Sequence, residues 1–326
     1  MSRPKVFVTR VLPQAALDKI AEVADMEVWQ DELPPPREVL MEKVKDIDGL
    51  LCLLTDKIDP ELMDTAAKVK VISNYAVGYD NIDIPAATQR GIPIGNTPGV
   101  LTETTADLAF TLLMSSARRI VEADKYTRAG KWKTWGPMLF LGRDIHHATL
   151  GIVGLGRIGA EMAKRGKGFD MNVIYFDEYR NEQREKELGI KYVDLDTLLK
   201  ESDFVSMHVP LMESTHHLIG EREFKMMKKT AILINSSRGP VVDQKALYTA
   251  LKDGEIAHAG LDVFDPEPVA VDDPLLTLSN ITVVPHIASA SVATRTKMAM
   301  MAADNLIAGI TGKPLPNPVN PEVKKR

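Results

Sequence analysis

Over the first hundred residues, short apolar runs alternate with stretches whose apolar positions recur at helical spacing. Lys5 to Thr9 predicts a strand, Pro13 to Val23 a helix and Met26 to Trp29 a second strand. Pro34-Pro35-Pro36 opens a helix that runs to about Lys45, because proline suits a helix start and not its interior. Gly49 to Leu54 is a continuous apolar strand, Pro60 to Ala67 a short helix and Val69 to Asn74 another strand. Continuous apolar strands separated by helices argue for a parallel sheet covered on both faces, and this segment alone could form a small α/β domain.

From Thr102 the pattern lengthens into one helix, TETTADLAFTLLMSSARRIVEADKYTRAG, with Thr102 as N-cap, Thr105 in the first turn and Gly130 at its end. Ala106, Ala109, Phe110, Leu113 and Ala117 predict a packing face along it. A loop from Lys131 to His147 carries Trp132 and Trp135. Further strands are expected at Phe204 to His208, Ala231 to Asn235, Gly260 to Val263 and Ile281 to Val284, so that residues 98–290 look like a complete doubly wound sheet. The last helix, Ser291 to about Gly312, places Met298, Met300 and Met301 as core filler. The tail PLPNPVNPEVKKR should be extended and largely solvated.

Within this pattern, Ala148 to Asp177 reads as a βαβ unit. An apolar run (Leu150, Ile152, Val153) meets Gly154-Leu155-Gly156-Arg157-Ile158-Gly159, a helical stretch follows to Gly168, and a second apolar run ends at Asp177. This is G-x-G-x-x-G in its strand-to-helix context. Gly154 serves the tight turn, Gly156 the backbone's approach to a pyrophosphate, and Gly159 close helix–strand packing. The helix N-terminus turns unpaired N–H groups and its dipole toward that anion, so Leu155 to Ile158 should hold the phosphates. Asp177 lies 18 positions past Gly159, where a carboxylate accepts from the adenosine ribose hydroxyls and repels a 2′-phosphate. That favours NAD, with NADH over NADPH. Arg180, close enough in sequence to pair with a 2′-phosphate, keeps NADPH open as the alternative.

Composition narrows the partners. At 326 residues the chain suits two domains. A formal net charge of −5 implies neither a nucleic-acid nor an anionic-membrane partner. No apolar stretch approaches a membrane span and no leader is read at the N-terminus, which points to a cytoplasmic protein. Cys52 is the single cysteine and sits in an apolar run, as a core residue. The pairs His146-His147 and His216-His217 have no carboxylates or cysteines at metal-ligand spacing nearby, so no metal site is expected.

The candidate chemistry follows the glycine turn. Asn235-Ser236-Ser237-Arg238-Gly239, the loop GLDVFDPEP with Asp262, Asp265 and Glu267, and Val284-Pro285-His286 each end a strand, where open α/β sheets bind ligands. A cation, a carboxylate and an imidazole presented together form a hydride-transfer constellation if the substrate is a 2-oxo acid. Singly, each has an ordinary reading as a surface arginine, a loop carboxylate or a strand cap.

These residues stand in blocks that resemble the NAD(P)-dependent D-isomer-specific 2-hydroxyacid dehydrogenases, in particular their glyoxylate/hydroxypyruvate reductase branch. The blocks are NYAVGYDNID from Asn74, TETTADLAF from Thr102, GIVGLGRIG from Gly151, NSSRGPVVD from Asn235, GLDVFDPEP from Gly260 and PHIASAS from Pro285. Two serines before Arg238, and Ala288 where glycine is frequent, depart from the pattern without touching the catalytic side chains.

The resemblance implies His286 as acid/base, Glu267 as its partner and Arg238 as the substrate-binding arginine. Reduction leaves negative charge on the substrate's carbonyl oxygen, so a proton donor must lie within hydrogen-bond reach. A carboxylate beside an imidazole orients it and favours its charged form, and an arginine can grip the substrate carboxylate. It further implies the backbone of Val77 and Gly78 as a second carboxylate clamp, Asp262 at the nicotinamide carboxamide, Thr105 as a cofactor contact, and Ser236, Ser237 and Arg238 as a wall for the nicotinamide ribose. Leu53 resembles a substrate-facing position, with ordinary core as the competing reading. Trp135 either shapes the substrate pocket or belongs to a dimer core.

The implied architecture is a Rossmann-type doubly wound parallel sheet (98–290) inserted into a flavodoxin-like α/β substrate domain (1–97 with 291–326), with the site in the cleft between them. A homodimer joined through the cofactor domain is expected. The implied activity is NADH-dependent reduction of glyoxylate or hydroxypyruvate. The alternatives are a D-lactate or D-3-phosphoglycerate dehydrogenase, the latter usually bearing extra C-terminal domains, and a NAD-sensing, corepressor-like binding protein.

Overall fold

A computed structural model describes residues 3–323. The chain begins with β1 (Lys5–Val8), whose Val6, Phe7 and Val8 are buried, as a strand covered on both faces requires. There follow α1 (Gln14–Val23), β2 (Asp25–Val28) and α2 (Arg37–Lys43), the last starting directly after the proline run. β3 (Gly49–Cys52) is buried throughout, α3 (Pro60–Thr65) is capped by the Asp59 side chain and β4 (Val71–Asn74) is again wholly buried. α4 (Ile84–Gln89) is capped by Asp83 and leads to the two-residue β5 (Ile94–Gly95). These strands are parallel in the order β2-β1-β3-β4-β5, the flavodoxin-type order.

Next come α5 (Thr102–Ala117), α6 (Ile120–Arg128), β6 (Thr149–Val153), α7 (Arg157–Gly168), β7 (Asn172–Phe176), α8 (Glu182–Leu188) and β8 (Lys191–Tyr192). The chain then returns through α9 (Leu195–Glu201) to β9 (Phe204–Met207), α10 (Glu221–Met226), β10 (Ile232–Asn235), α11 (Gln244–Asp253), β11 (His258–Leu261) and β12 (Ile281–Val283). All seven strands are parallel, ordered β12-β11-β10-β9-β6-β7-β8. The winding direction reverses between β6 and β9, and the carboxyl edge there is where doubly wound sheets bind dinucleotides. One face of the sheet is covered by a cluster that includes Leu198, Phe224 and Leu247, and another cluster gathers Phe110, Leu113, Met162 and Tyr175.

The last helix, α12 (Val292–Ile310), packs on β3, β4 and α1. Its Ala302 carbonyl accepts from Ser73 Oγ at 2.8 Å, and its buried Asn305 donates to the Asn96 carbonyl at 2.8 Å. Met298 is buried in that core. The chain thus divides into two compact units: one runs to Leu101 and resumes at Ala290, the other runs from Thr102 to Ser289.

Two expectations need correction. The long helix from Thr102 does not run unbroken to Gly130. The Ala117 carbonyl accepts from Arg143 N at 2.8 Å, and Arg119 takes a left-handed conformation with φ 54°. The returning segment occupies the acceptor that the next helical turn would have used, so α5 ends and α6 starts anew. The tail is extended as expected, but it is more than solvated chain. Asn320 is 1% exposed; its Oδ1 accepts from Ile94 N at 2.8 Å and its Nδ2 donates to Ile92 O at 3.0 Å. Lys324, Lys325 and Arg326 lie outside the described residues.

Replacing Asn320 with Ala leaves those two backbone groups buried without partners, so Asn320→Ala should lower unfolding stability by about 2–3 kcal/mol. Urea denaturation checks this, and a loss below about 0.5 kcal/mol would show that the tail is only loosely attached.

Candidate active site

β6 delivers the chain into the glycine turn. Gly154 has φ +98°, and a Cβ there would stand 2.9 Å from Val209 N just past β9; only glycine meets both conditions. A Cβ on Gly159 would stand 2.1 Å from the Gly154 carbonyl, so the start of α7 can lie against the turn only without one. Gly156 and Arg157 are exposed, Ile158 is half-buried, and nothing lies within 4 Å of where a Gly156 Cβ would be. The turn therefore leaves its backbone open to a ligand at the amino end of α7. Leu155 points inward and is buried.

Asp177 follows β7 directly, and the Val153–Phe176 register sets it beside the turn. Its Oδ2 accepts from Leu155 N at 2.7 Å and its Oδ1 from Tyr179 N at 3.3 Å. It is thus bonded to the glycine turn itself. Sequence reasoning missed Arg184 on α8, which donates through Nη1 to the Leu155 carbonyl and to the Gly156 carbonyl at 2.7 Å. The available signal was its position seven residues past Asp177, in the first turns of the next helix.

The neighbouring strand ends carry the other candidates. Asn235 closes β10; its side chain accepts from Ser237 N at 3.0 Å and donates to the Arg238 carbonyl at 2.9 Å, fixing the loop that bears Ser236, Ser237 and Arg238. Arg238 Nη1 donates to the Ser237 carbonyl at 2.9 Å. Beside it, a Cβ on Gly239 would fall 1.7 Å from the Phe264 carbonyl, so this loop lies directly on the loop after β11. That second loop holds Glu267, whose Oε2 accepts from Phe264 N at 3.4 Å and whose Oε1 contacts His286 Nδ1. Arg238, Glu267 and His286 are therefore brought to one region of the second unit.

Asp262 has a use in this structure that its sequence position did not reveal. It is fully buried; its Oδ1 accepts from Ile287 N at 2.6 Å and its Oδ2 from Ala288 N at 2.9 Å, while its carbonyl accepts from His286 N at 2.9 Å. Burial pushes its carboxyl up to about 6, against the opposing pull of those N–H groups. His286 sits at φ 52°, a left-handed conformation unusual for a side-chain-bearing residue. The carboxylate that resemblance assigns to the nicotinamide is thus also the clasp of the histidine turn.

Thr105 is buried in the first turns of α5, which packs on α7 through Arg165, whose Nε donates to Asp107 at 2.8 Å. Trp135 is 78% exposed in the 131–148 loop, so within a single chain it is not core. In the first unit, Leu53 is half-buried beside the Leu51 core, and its N–H donates to Asp56 Oδ2 at 2.8 Å. Val77 and Gly78 are half-buried, held by Asn96 Nδ2 to the Val77 carbonyl at 2.8 Å and Asn74 Nδ2 to the Gly78 carbonyl at 2.9 Å. Cys52 is buried, and desolvation pushes its thiol up. Among the described residues no group of three or more His, Cys, Asp or Glu is placed to hold a metal, and no helix is long and apolar enough to cross a membrane.

The residues present fit a dinucleotide. Besides the open turn, Ser236 Oγ is buried at the carboxyl end of β10 with no hydrogen-bond partner among the described residues, a polar atom of the kind a sugar hydroxyl satisfies.

Comparison with known proteins agrees. A family model described as "D-isomer specific 2-hydroxyacid dehydrogenase, NAD binding domain" matches residues 110–288. A glyoxylate reductase of Korarchaeum cryptofilum is 59% identical over 99% of this chain and 98% of its own. A crystal structure of a Thermus thermophilus protein superposes with a TM-score of 0.92 at 46% identity, covering 97% of this chain and 99% of that one. The NADPH-dependent glyoxylate/hydroxypyruvate reductase of Sinorhizobium meliloti, solved with NADP and malonate, gives 0.88 at 33% identity over 100% and 99% of the two chains.

Removing the clasp leaves two N–H groups without their acceptor. Asp262→Ala should lower unfolding stability by about 2–3 kcal/mol, and Asp262→Asn by less, since its amide oxygen keeps one bond. Thermal unfolding of the two variants checks the order, and a wild-type melting point for Asp262→Ala would mean that the turn holds itself.

Proposed function

Because the chain belongs to the D-isomer-specific 2-hydroxyacid dehydrogenase family, we propose that it reduces a small 2-oxo acid, glyoxylate or hydroxypyruvate, to the 2-hydroxy acid with NADH. The observation that carries this reading is the contact of His286 Nδ1 with Glu267 on strand-end loops beside Arg238. The names of the Korarchaeum and Sinorhizobium relatives support the substrate class. Asp177, bonded to the glycine turn, supports NADH, since a carboxylate there repels a 2′-phosphate.

Bound NADH supplies the hydride that C2 of the substrate receives. His286 is assigned the matching proton: Glu267 occupies Nδ1 and fixes the ring, leaving Nε2 as the atom that gives its proton to the carbonyl oxygen. The left-handed backbone at His286, pinned by Asp262, sets where that ring points. Arg238 is assigned the substrate carboxylate, for which its planar fork of donors is suited. Hydride at C2 and the proton at the carbonyl oxygen together make the 2-hydroxy acid, and reversal of both steps serves oxidation.

The 131–148 loop exposes Trp132, Trp135, Met138 and Leu141. We assign this apolar run to contact with a second copy of the chain in a homodimer. Light scattering should give about twice the chain mass, and Trp132→Asp combined with Trp135→Asp should shift it toward the monomer. A monomeric wild type removes the assignment.

For the reaction, NADH oxidation should be fast with glyoxylate or hydroxypyruvate. His286→Ala should lower kcat by about a hundredfold or more while leaving the NADH dissociation constant within about twofold. Tight NADH binding without turnover in the wild type would instead indicate a dinucleotide sensor, and equal loss of turnover and binding in the variant would make His286 structural.

A further inference from the structure

Arg180 is the cation near Asp177 that the sequence left able to serve a 2′-phosphate, and the structure shows how it is held. Its Nε donates to Glu185 Oε1 at 2.8 Å and its Nη2 to Oε2 at 3.0 Å, a side-on pairing that uses both carboxylate oxygens. The pair is built into the sheet edge. Glu185 Oε1 also accepts from Tyr175 OH at 2.9 Å, and that hydroxyl accepts from Asn181 N at 2.9 Å, closing a ring of contacts around the 177–181 loop. Tyr175 is fully buried on β7, and the Arg180 guanidinium lies 5.7 Å from the Tyr192 ring centroid. The Glu185 side chain is only 13% exposed.

Adjacent helix positions face about 100° apart. On α8, Arg184 turns to the glycine-turn carbonyls while Glu185 turns to Arg180. Arg180 and Arg184 are therefore both engaged, Arg184 on the glycine turn and Arg180 on Glu185 of α8. The hydrogen bonds from Arg180 also lower the Glu185 carboxyl below its usual range, so it stays ionised at neutral pH.

We propose that Glu185 is a positioning residue for cofactor specificity, withholding Arg180 from the 2′-phosphate of NADPH by holding its guanidinium against α8. The proposal rests on the NADH reading given above and deepens it. Asp177 repels the phosphate, and Glu185 denies it the nearby cation that would offset that repulsion. Release requires breaking one pair whose arginine is half-exposed, while the Tyr175 hydrogen bonds that close the loop do not depend on the charge of Glu185. A single charge change therefore redirects Arg180 without unfolding the loop.

The test compares Glu185→Gln, Arg180→Ala and the double variant with wild type. Glutamine keeps the side chain's length and an oxygen for Tyr175 while removing the charge. The readouts are kcat/KM for NADPH and for NADH with glyoxylate, and, without substrate, the two dissociation constants from reduced-nicotinamide fluorescence. The two cofactors differ only in the phosphate, so a loss of general structure moves both and leaves their ratio unchanged.

Glu185→Gln should raise the NADPH-to-NADH preference about tenfold, the scale of one charge-assisted hydrogen bond. Arg180→Ala should stay within about twofold of wild type, and the double variant should return there. An unchanged ratio in Glu185→Gln overturns the proposal. So does a rise that persists in the double variant, which would show simple loss of negative charge. A wild type that prefers NADPH would end the NADH reading alone, since the Glu185→Gln comparison is made relative to wild type. If Arg180→Ala abolished such a preference, Arg180 would already be serving the phosphate, and the proposal would fail too.

Discussion

Parallel strand direction is the constraint on which the second unit's chemistry depends. Every strand of its sheet runs the same way, so every strand delivers its next residues to one edge. The glycine turn after β6, Asp177 after β7, Ser236 to Arg238 after β10, Asp262 after β11 and His286 after β12 share that edge because the winding allows nothing else. An antiparallel strand among them would have sent its group to the opposite side.

Sharing an edge does not fix side chains to within an ångström; the cross-links between adjacent loops do that. The Phe264 backbone lies against Gly239, Glu267 reaches both Phe264 N and the imidazole, and Asp262 binds the two residues after His286. Apart from the bond between Glu267 and Phe264 N, which braces one loop internally, each link joins loops from neighbouring strands. A buried carboxyl pushed up by desolvation is an unfavourable thing to keep. Its retention here makes sense as the means of holding a left-handed, side-chain-bearing residue in place.

Much of this was legible in the chain. Continuous apolar runs marked the buried strands because parallel strands have no wet face, and the glycine turn announced itself through the strand before it and the carboxylate after the next. What stayed hidden depended on partners distant in sequence. Nothing in Arg118-Arg119 resists a helix; α5 stops because Arg143 reaches the Ala117 carbonyl. β5 and β8 have two residues each, too few to show any period. Asn320 looked like tail until its side chain was seen to satisfy Ile92 and Ile94. Asp262 was visible as a strand-end carboxylate, but which N–H groups it would meet was set by the turn after β12. Arg184 was missed because its direction depends on how α8 is rotated, which a helix of seven residues with no buried position does not encode.

The insertion of one unit into the other also sets an order of events during synthesis. The second unit is contiguous, so a nascent chain holds all of its strands once Ser289 has left the ribosome. The first unit has its five strands long before that, yet Gly49, Val71 and Ser73 have no cover until α12 arrives with Leu306, Gly309 and the Ala302 carbonyl. For nearly two hundred residues of translation, about ten seconds or more at ordinary elongation rates, an apolar sheet face waits for its helix. The first-made part of the polypeptide is thus the last to be finished, and it is where a chaperone would find surface to hold.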